Sequence, residues 1–545
     1  MTDIEIPLGK RTRWYRFFEM LPALLSYSIL LLPVVLSFIS PLLGALFIIV
    51  YTIMWLVRAV ATAGRTIQGH NALQKAQLVD WRQRLNDLEN PSEALQRDDF
   101  KGWANARHRH NLEQIVAAPE GQYPKPSDLY NAVIIATYNE SRDVLEPTIQ
   151  ALLESDYDLS HMILVIAYEE RGGEAIERTA TDLIKEYGGH FYSAQAVKHP
   201  HDLPGEVVGK GGNITWAGKW LKGWLKEQRI EYDNVIVTTL DSDNRAHKTY
   251  FSYVTYEFII QADRQNLSFQ PIALFLNNIW DVPAPMRVVA TGNSFFNIVM
   301  SLRPHMLRNF ASHSQGMRAL VDMDFWSVRT VVEDGHQFWR SYFHFDGKYD
   351  VVPIFVPIYQ DAVLSETTRK TLKAQFVQVR RWAYGASDIA FVATRGFRKN
   401  RTVPLFDFLA KLLRLIDNHV SWASASLIVA FGAWAPLYIN PEATRSIVAH
   451  ELPTIVSTLQ RFAMVGLFIT VFLSFKMLPP RPERYKRHRN IFMLLQWLMM
   501  PITTIAYGAS AALNSQTRLL LGKYLDKFDV TEKAVVKDDK TISSS

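Results

Sequence analysis

Cysteine is absent from all 545 residues. Its absence excludes a disulfide framework, a Cys-ligated zinc and a thiol nucleophile. Glycine and proline, at 26 and 25 residues, are too few for a collagen-like or low-complexity chain. Charge of one sign is not in large excess: 59 Lys+Arg against 53 Asp+Glu leave a net +6. Nucleic acid is excluded as a partner, because that role needs a clustered basic face interleaved with aromatics, and the main basic cluster is a short loop between apolar runs. There is no Walker G-x-x-x-x-G-K-[ST] and no G-x-G-x-x-G after the first strand. An apolar content of 48 % excludes a disordered chain, while 21 % charged residues exclude one that is membrane throughout.

What is present is strongly segregated. Residues 20–57 contain no Asp, Glu, Lys or Arg. A spanning helix needs about 20 apolar residues, so this run holds two, at 20–39 and 42–60, with a break at Ser40-Pro41. Lys10, Arg11, Arg13 and Arg16 precede it as they would precede a signal peptide. A cleavable signal, however, has a core of about 7–15 residues and no second apolar run after it. Later apolar stretches lie at 420–441, at 455–478 with Arg461 inside it, and at 490–517 with Pro501 in its middle. The loop carrying Lys476, Arg481, Arg484, Lys486, Arg487 and Arg489 is cytoplasmic by the positive-inside rule. The basic N-terminus, Arg58 and Arg65 agree, which puts the polar middle of the chain inside. If 490–517 crosses fully, the tail ends outside; a re-entrant segment broken at Pro501 returns it to the inside. Residues 405–417 alternate Leu405, Phe408, Leu409, Leu412 and Ile416 with Asp407, Lys411 and Arg414. That pattern reads as an amphipathic helix on the membrane face, or else as a core helix of the soluble domain.

The expected organisation follows: a basic segment and membrane hairpin at 1–64, a charged cytoplasmic linker at 65–125, a cytoplasmic domain at 126–400, the interface helix at 401–418, membrane helices at 419–513 and a polar tail at 514–545. Within the domain, apolar β-branched runs at 132–136, 162–168, 190–197 and 234–240 alternate with helical periods at 144–153, 174–187 and 214–227. Continuous apolar strands separated by helices predict an α/β fold: a mostly parallel sheet with helices on both faces, inserted between the terminal membrane helices. In such sheets ligands bind past the carboxyl ends of the strands.

Polar clusters sit at those ends. Asp241-Ser242-Asp243 follows the fourth strand directly, and two carboxylates on alternate residues can hold a hard divalent cation against a diphosphate. Glu333-Asp334 is a second acidic pair, suited to general-base work or, more plainly, to capping the helix predicted over 337–343. Gln378, Arg381 and Trp382 fall at i, i+3 and i+4 of a helical stretch, hence on one face. Arg offers a planar fork for phosphate and Trp a flat surface for a sugar ring. Gly209-Lys210-Gly211-Gly212-Asn213 opens a helix, where glycine permits close approach and a helix N-terminus favours an anion.

Taken in order, Ala136-Thr137-Tyr138-Asn139-Glu140, Lys210-Gly211-Gly212-Asn213, Asp241-Ser242-Asp243, Glu333-Asp334 and Gln378-x-x-Arg381-Trp382 resemble the membrane-integrated family 2 glycosyltransferases, the group of cellulose, chitin and hyaluronan synthases. The resemblance covers about 130–390, and Thr517–Lys523 with Val530–Lys533 is similar, more loosely, to that family's tail. It implies a GT-A-type domain in the plasma membrane, a nucleotide-sugar donor, a glycan or lipid acceptor, and Mg²⁺ or Mn²⁺. It implies that Thr137, Tyr138 and Glu140 hold the nucleoside, that Lys210 approaches the diphosphate, and that Asp243 with Asp241 binds the metal. By the same resemblance Asp334, next to Glu333, is the base of an inverting transfer, Arg381 steadies the leaving diphosphate, and Gln378 and Trp382 shape the acceptor end. The chain departs from the family after the second strand, where Glu169 or Glu170 stands in for an acidic pair with Gly. It also departs across 244–331, with Asn277-Asn278-Ile279-Trp280 and Phe310-Ala311-Ser312-His313-Ser314; this interval has no motif-level reading and is expected to recognise the acceptor. Asp361 is a competing acid. Processive synthesis of an exported polysaccharide and transfer of a single sugar both remain open. A non-catalytic nucleotide- or glycan-binding protein would show damaged acids, yet Asp241, Asp243, Asp334 and Arg381 are intact. A transporter would show charges within its spans, where only Arg461 qualifies.

Overall fold

The computed structural model describes residues 5–525 apart from 8, 98–99 and 101; the Val530–Lys533 motif and the end of the tail lie outside the described residues. Eight strands form one sheet: β1 Tyr130–Thr137, β2 Met162–Glu169, β3 Ser193–His199, β4 Val235–Asp241, β5 Arg245–Ala246, β6 Leu267–Leu274, β7 Ser314–Gly316 and β8 Asp350–Tyr359. Their spatial order is β3-β2-β1-β4-β7-β6-β8-β5. β1 runs parallel to β2 and to β4, β2 to β3 and β6 to β8, while β7 is antiparallel to both neighbours and β5 to β8. The α/β class and the mostly parallel sheet expected from the sequence are therefore observed. β1 and β2 are buried along nearly their whole length, because the helices Arg142–Leu153, Gly173–Tyr187 and Lys210–Glu227 cover the sheet. Each fully buried Ile, Leu or Val there contributes roughly 1.5–3 kcal/mol.

The chain leaves β1 to build β2 and β3 on one side, then returns to place β4 on the other. This reversal of strand order opens a crevice beyond the carboxyl ends of β1 and β4. Parallel register brings Ala136 level with Asp241, and Thr137 level with Tyr168.

Among the described residues five helices are long and apolar enough to cross a membrane: Arg13–Ile39, Pro41–Gln77, Leu405–Ile439, Leu452–Met477 and Arg489–Leu521. The segment expected as an interface helix and the span after it form one uninterrupted helix, Leu405–Phe431. The last span is helical from Arg489 to Leu521 but changes pitch around its proline. Pro501 supplies no N–H to the ladder, and a π-helical turn follows at Thr504–Ala509.

Residues 65–125, expected as a linker, are largely a packed helical layer. The second span continues to Gln77, and Trp103–Ala117 is helical. Trp81 stacks on Tyr253 with ring centroids 3.5 Å apart. Asp87 is buried with Arg97 and His108 as partners, and the other His108 nitrogen meets the Tyr256 hydroxyl at 2.9 Å.

Interval 244–331, in part, joins the domain to the membrane helices. Trp280 donates to the Pro479 carbonyl (3.0 Å) and Arg489 to the Trp280 carbonyl (3.0 Å). Arg484 and Tyr485 both donate to Asp281, at 2.7 and 2.8 Å.

Candidate functional site

Lys210 is the first residue of its helix, which points its N-terminus at the crevice. Its side chain, 8 % exposed, carries the ammonium to 2.9 Å from Asp241 Oδ1 and 3.3 Å from Asp334 Oδ2. One cation thus joins the D-x-D strand end to the E-D helix. Burial opposes its charge, but Asp241, Asp334 and Glu333 outweigh burial and hold the ammonium above the ordinary lysine value. The two glycines that follow permit this packing. A Cβ on Gly211 would fall 2.4 Å from the Ser327 carbonyl oxygen, and one on Gly212 2.7 Å from a Glu206 carboxylate oxygen. Asn213, which the sequence reading quoted without a role, donates to the carbonyls of Thr137 (3.2 Å) and Ala167 (2.8 Å), tying the helix to the ends of β1 and β2.

Glu333 and Asp334 lie in the first turn of the helix Glu333–His344, where a carboxylate is favoured by the helix dipole. Capping and chemistry are compatible there, since Asp334 still faces the crevice. Buried His313 sits beside it, with Nδ1 3.8 Å from Asp334 Oδ1. Trp326 Nε1–H can only donate, so His313 Nε2 accepts from it (3.2 Å) and Nδ1 carries the proton toward the Phe310 carbonyl (3.0 Å). Burial pushes the imidazole down, so His313 is a neutral neighbour of Asp334. The sequence marks it only within Phe310–Ser314, a stretch expected near the acceptor, because a lone His carries no spacing signal for a role beside Asp334.

Burial, and then the neighbouring Asp334 carboxylate, push Glu333 up to about 7. The folded state therefore binds this proton more tightly than the unfolded chain does. The stabilisation is complete below the ordinary glutamate value and is lost as pH rises through about 7. Glu333→Gln should remove that loss. Its melting temperature relative to wild type is expected to rise between about pH 5 and about pH 8. A difference that stays constant over that range would mean Glu333 does not titrate there.

Asp243, 7 % exposed, is held by its surroundings. Its Oδ2 accepts the Asp361 N–H at 3.0 Å, and its carbonyl accepts from Asn277 Nδ2 at 3.0 Å. Asn278 clamps Ala362 from both sides, accepting its N–H (2.8 Å) and donating to its carbonyl (2.9 Å). Asn277 and Asn278, which no motif had singled out, thereby brace the D-x-D turn against the loop after β8. Asp361 meets Asp243 through its backbone. Among the described residues no group of three or more His, Asp or Glu side chains converges on one point. Asp241 and Asp243 nonetheless fit Mg²⁺ or Mn²⁺, since such ions bind through one or two carboxylates and complete their shell with phosphate oxygens and water.

Farther along the crevice, Glu140 turns back on its own loop. It accepts from the Thr137 hydroxyl (2.7 Å), Tyr138 N–H (2.8 Å) and Asn139 N–H (3.2 Å). Arg171 pairs with Glu169 and lies 4.1 Å from the Tyr138 ring centroid, so Tyr138, Glu169 and Arg171 form one cluster. Glu170 is directed away, to His201 Nδ1 at 2.6 Å. A Cβ on Gly172 would fall 1.9 Å from the Tyr138 carbonyl oxygen; only glycine allows these two loops to touch.

Gln378, Arg381 and Trp382 share the helix Thr368–Ala383. Arg381 is near enough that its charge favours ionised Glu333. The Trp382 ring lies 6.0 Å from that of Phe275, and Gln378 accepts from Gln375 at 3.2 Å. The structure therefore gathers Lys210, Asp241, Glu333, Asp334 and Arg381, sets Asp243 beside them on its turn, and leaves Tyr138, Glu140 and Glu169 at the β1–β2 end.

Segments near both limits of the described residues pack close to the loop before Glu333. Glu5 meets Arg340 (2.9 Å) and the Ser327 hydroxyl (2.6 Å), and Arg329 donates to the Ile6 carbonyl (3.1 Å). Arg16 donates to the last carbonyls of the final helix, at Leu519 (2.9 Å) and Leu520 (3.1 Å). Val331, Tyr384 and Leu519 are buried together.

No protein-family model and no curated protein matches this chain. Among solved structures it is similar to the mannosyltransferase PcManGT from Pyrobaculum calidifontis in complex with GDP-Man and Mn²⁺, at 14 % identity over 85 % of this chain and 100 % of that one, with a TM-score of 0.40. It is similar to S. aureus TarS at 13 % identity over 62 % of this chain and 55 % of that one, with a TM-score of 0.35. It is also similar to GalNAc-T7 with UDP, GalNAc and Mn²⁺, at 9 % identity over 54 % of this chain and 58 % of that one, with a TM-score of 0.32.

Proposed function

We propose that this chain is a membrane glycosyltransferase that moves a sugar from a nucleotide-sugar donor to a glycan or lipid acceptor, with inversion at the anomeric carbon. The observation that carries the reading is Lys210, buried at the strand-order reversal and shared between Asp241 and Asp334. It supports the reading because one ammonium lies within reach of both the strand-end and the helix-start carboxylates, in a chain with five long apolar helices among the described residues.

In this reading the nucleoside rests at the Tyr138–Arg171–Glu169 end and the diphosphate lies over the start of the Lys210 helix. Lys210, drawn to the diphosphate, releases Asp334 to take the proton of the acceptor hydroxyl. That oxygen attacks the anomeric carbon as its bond to the diphosphate breaks, so one displacement inverts the centre. Arg381 offsets the charge gathering on the leaving group, and Trp382 offers a face to the acceptor sugar. Mg²⁺ or Mn²⁺ held by Asp243 and Asp241 would supply Lewis-acid stabilisation of the leaving diphosphate. The basic residues flanking the apolar helices support a cytoplasmic position for this chemistry by the positive-inside rule, and the proposed membrane is the plasma membrane.

The purified protein, in detergent or lipid with Mn²⁺ and a panel of nucleotide sugars, should release nucleoside diphosphate from one donor. Asp243→Ala should abolish the release. If no donor is consumed even with membrane lipid extract added as acceptor, the proposal fails.

A further inference from the structure

At the membrane-facing end of the domain, basic side chains from three separate segments meet. Arg58 and Arg65 come from the helix Pro41–Gln77, Arg303 and His305 from the turn after the helix Ala284–Ser301, and Arg414 from the helix Leu405–Phe431. The backbone fixes the convergence. A Cβ on Gly69 would fall 2.5 Å from Ile298 and 3.4 Å from Leu302, and Arg65, one turn earlier on the same face, is thereby brought toward Arg303. Arg414 donates to the His305 carbonyl at 3.4 Å, and Arg58 pairs with Asp417 at 3.3 Å. Burial, then the charges of Arg65, Arg414 and Arg58, push the Arg303 guanidinium below its ordinary value, as expected of crowded like charges. Basic residues of the 476–489 loop, by contrast, have protein partners in Asp281 and the Trp280 carbonyl. Apolar side chains line the same helices: Val57 is 62 % exposed, Val60 54 % and Leu413 64 %.

We propose that Arg58, Arg65, Arg303, His305 and Arg414 form a binding site for the headgroup of an anionic phospholipid, whose acyl chains lie along Val57, Val60 and Leu413. The charge of the cluster calls for a phosphate, and the apolar helix surface beside it calls for a lipid rather than a soluble anion. The site lies apart from the crevice, so its failure leaves the transferase reading untouched. It also adjoins that crevice in sequence, because the turn bearing Arg303, His305 and Arg308 runs directly into Phe310 and His313. A bound headgroup would steady the strand of chain that places His313 against Asp334.

The test is native mass spectrometry of the full chain, released from nanodiscs containing equal amounts of phosphatidylglycerol and phosphatidylcholine with matched acyl chains. Wild type should retain phosphatidylglycerol preferentially. Because each basic residue near an anionic surface contributes about fivefold, Arg303→Gln combined with Arg414→Gln should cut that retention by roughly tenfold or more. Lys222→Gln with Lys226→Gln, the same charge loss at two exposed positions of the helix Lys210–Glu227, should not change it. Asp417→Asn removes the acid opposing Arg58 and should raise retention, which keeps the test decisive if the double variant folds poorly. Equal retention of both lipids by wild type, or undiminished retention by a folded double variant, overturns the proposal. Displacement of the lipid by millimolar inorganic phosphate overturns the lipid assignment in favour of a general anion site.

Discussion

Asp334→Asn is expected to lower the rate of sugar transfer by about a thousandfold, within the range for loss of a positioned base, while binding of the donor's nucleoside diphosphate stays close to wild type. The amide keeps the size of the carboxylate and an oxygen toward Lys210, but it cannot take a proton from an acceptor hydroxyl at neutral pH. Of its neighbours, His313 cannot deputise, because its acceptor nitrogen is occupied by the Trp326 N–H. A much smaller loss would mean that Glu333, relieved in the variant of the Asp334 charge that helps burial to raise it, takes over as base. Asp361 contacts Asp243 through its backbone N–H, so Asp361→Asn should preserve the D-x-D turn and most of the transfer. Calorimetry with the nucleoside diphosphate and a single-turnover transfer assay separate the two quantities. Transfer by Asp334→Asn at the wild-type rate, or its loss in Asp361→Asn instead, would move the base to another carboxylate.

Of the four strands legible in the sequence, β1, β2 and β4 are buried on both faces, while β3, close to its expected 190–197, is only partly buried. β1, β2 and β4 are continuous apolar runs, and each lies within a few residues of its expected place. β6 and β8 escaped because Pro271, Pro353 and Pro357 interrupt them. Proline lacks the ladder N–H and argues against a strand, yet here a register shift between Pro271 and Ile272 accommodates it. β7, Ser-Gln-Gly, is too short and polar to give any signal. Charge density misled at 65–125, because those helices bury one face only: Trp81, Leu85, Leu88 and Leu112 go inward while their many charged neighbours stay in water.

The site divides along similar lines. Residues whose chemistry depends on local spacing were legible: Asp241 and Asp243 two apart at a strand end, Gln378, Arg381 and Trp382 on one helical face, and Lys210 between glycines. Residues that act through long-range backbone contacts were not. Asn213 reaches two strand ends, Asn277 holds the Asp243 carbonyl, Asn278 holds a loop more than 80 positions away, and His313 meets Asp334 only through the sheet. Pairing Lys210 with two acids, rather than reserving it for a phosphate, needed the register that sets β4 beside β1.

That pairing makes Lys210→Met the substitution with the greatest effect on both stability and activity. Removing one partner of a buried ion pair costs about 3–5 kcal/mol, because the remaining charge is left without compensation. Asp334 has a side chain 18 % exposed and bears most of this cost, whereas Asp241, at 35 %, retains water and bears less. A loss of about 3 kcal/mol follows, together with loss of transfer. The pH dependence identifies the cause. In wild type the Lys210 pKa is raised, so its contribution is complete below the ordinary lysine value and fades only as pH rises through the raised one; across neutral pH it is constant. In the variant the carboxylates have lost their cation and keep a negative charge with no compensation until acid removes it. Its deficit should therefore be full near neutral pH and shrink as acid protonates them. Urea unfolding at about pH 7.5 and about pH 4.5 reads both points. A variant as stable as wild type at neutral pH, or a deficit unchanged by acid, would mean that Asp241 and Asp334 do not depend on the ammonium, and the shared-lysine geometry beneath the proposed mechanism would have to be abandoned.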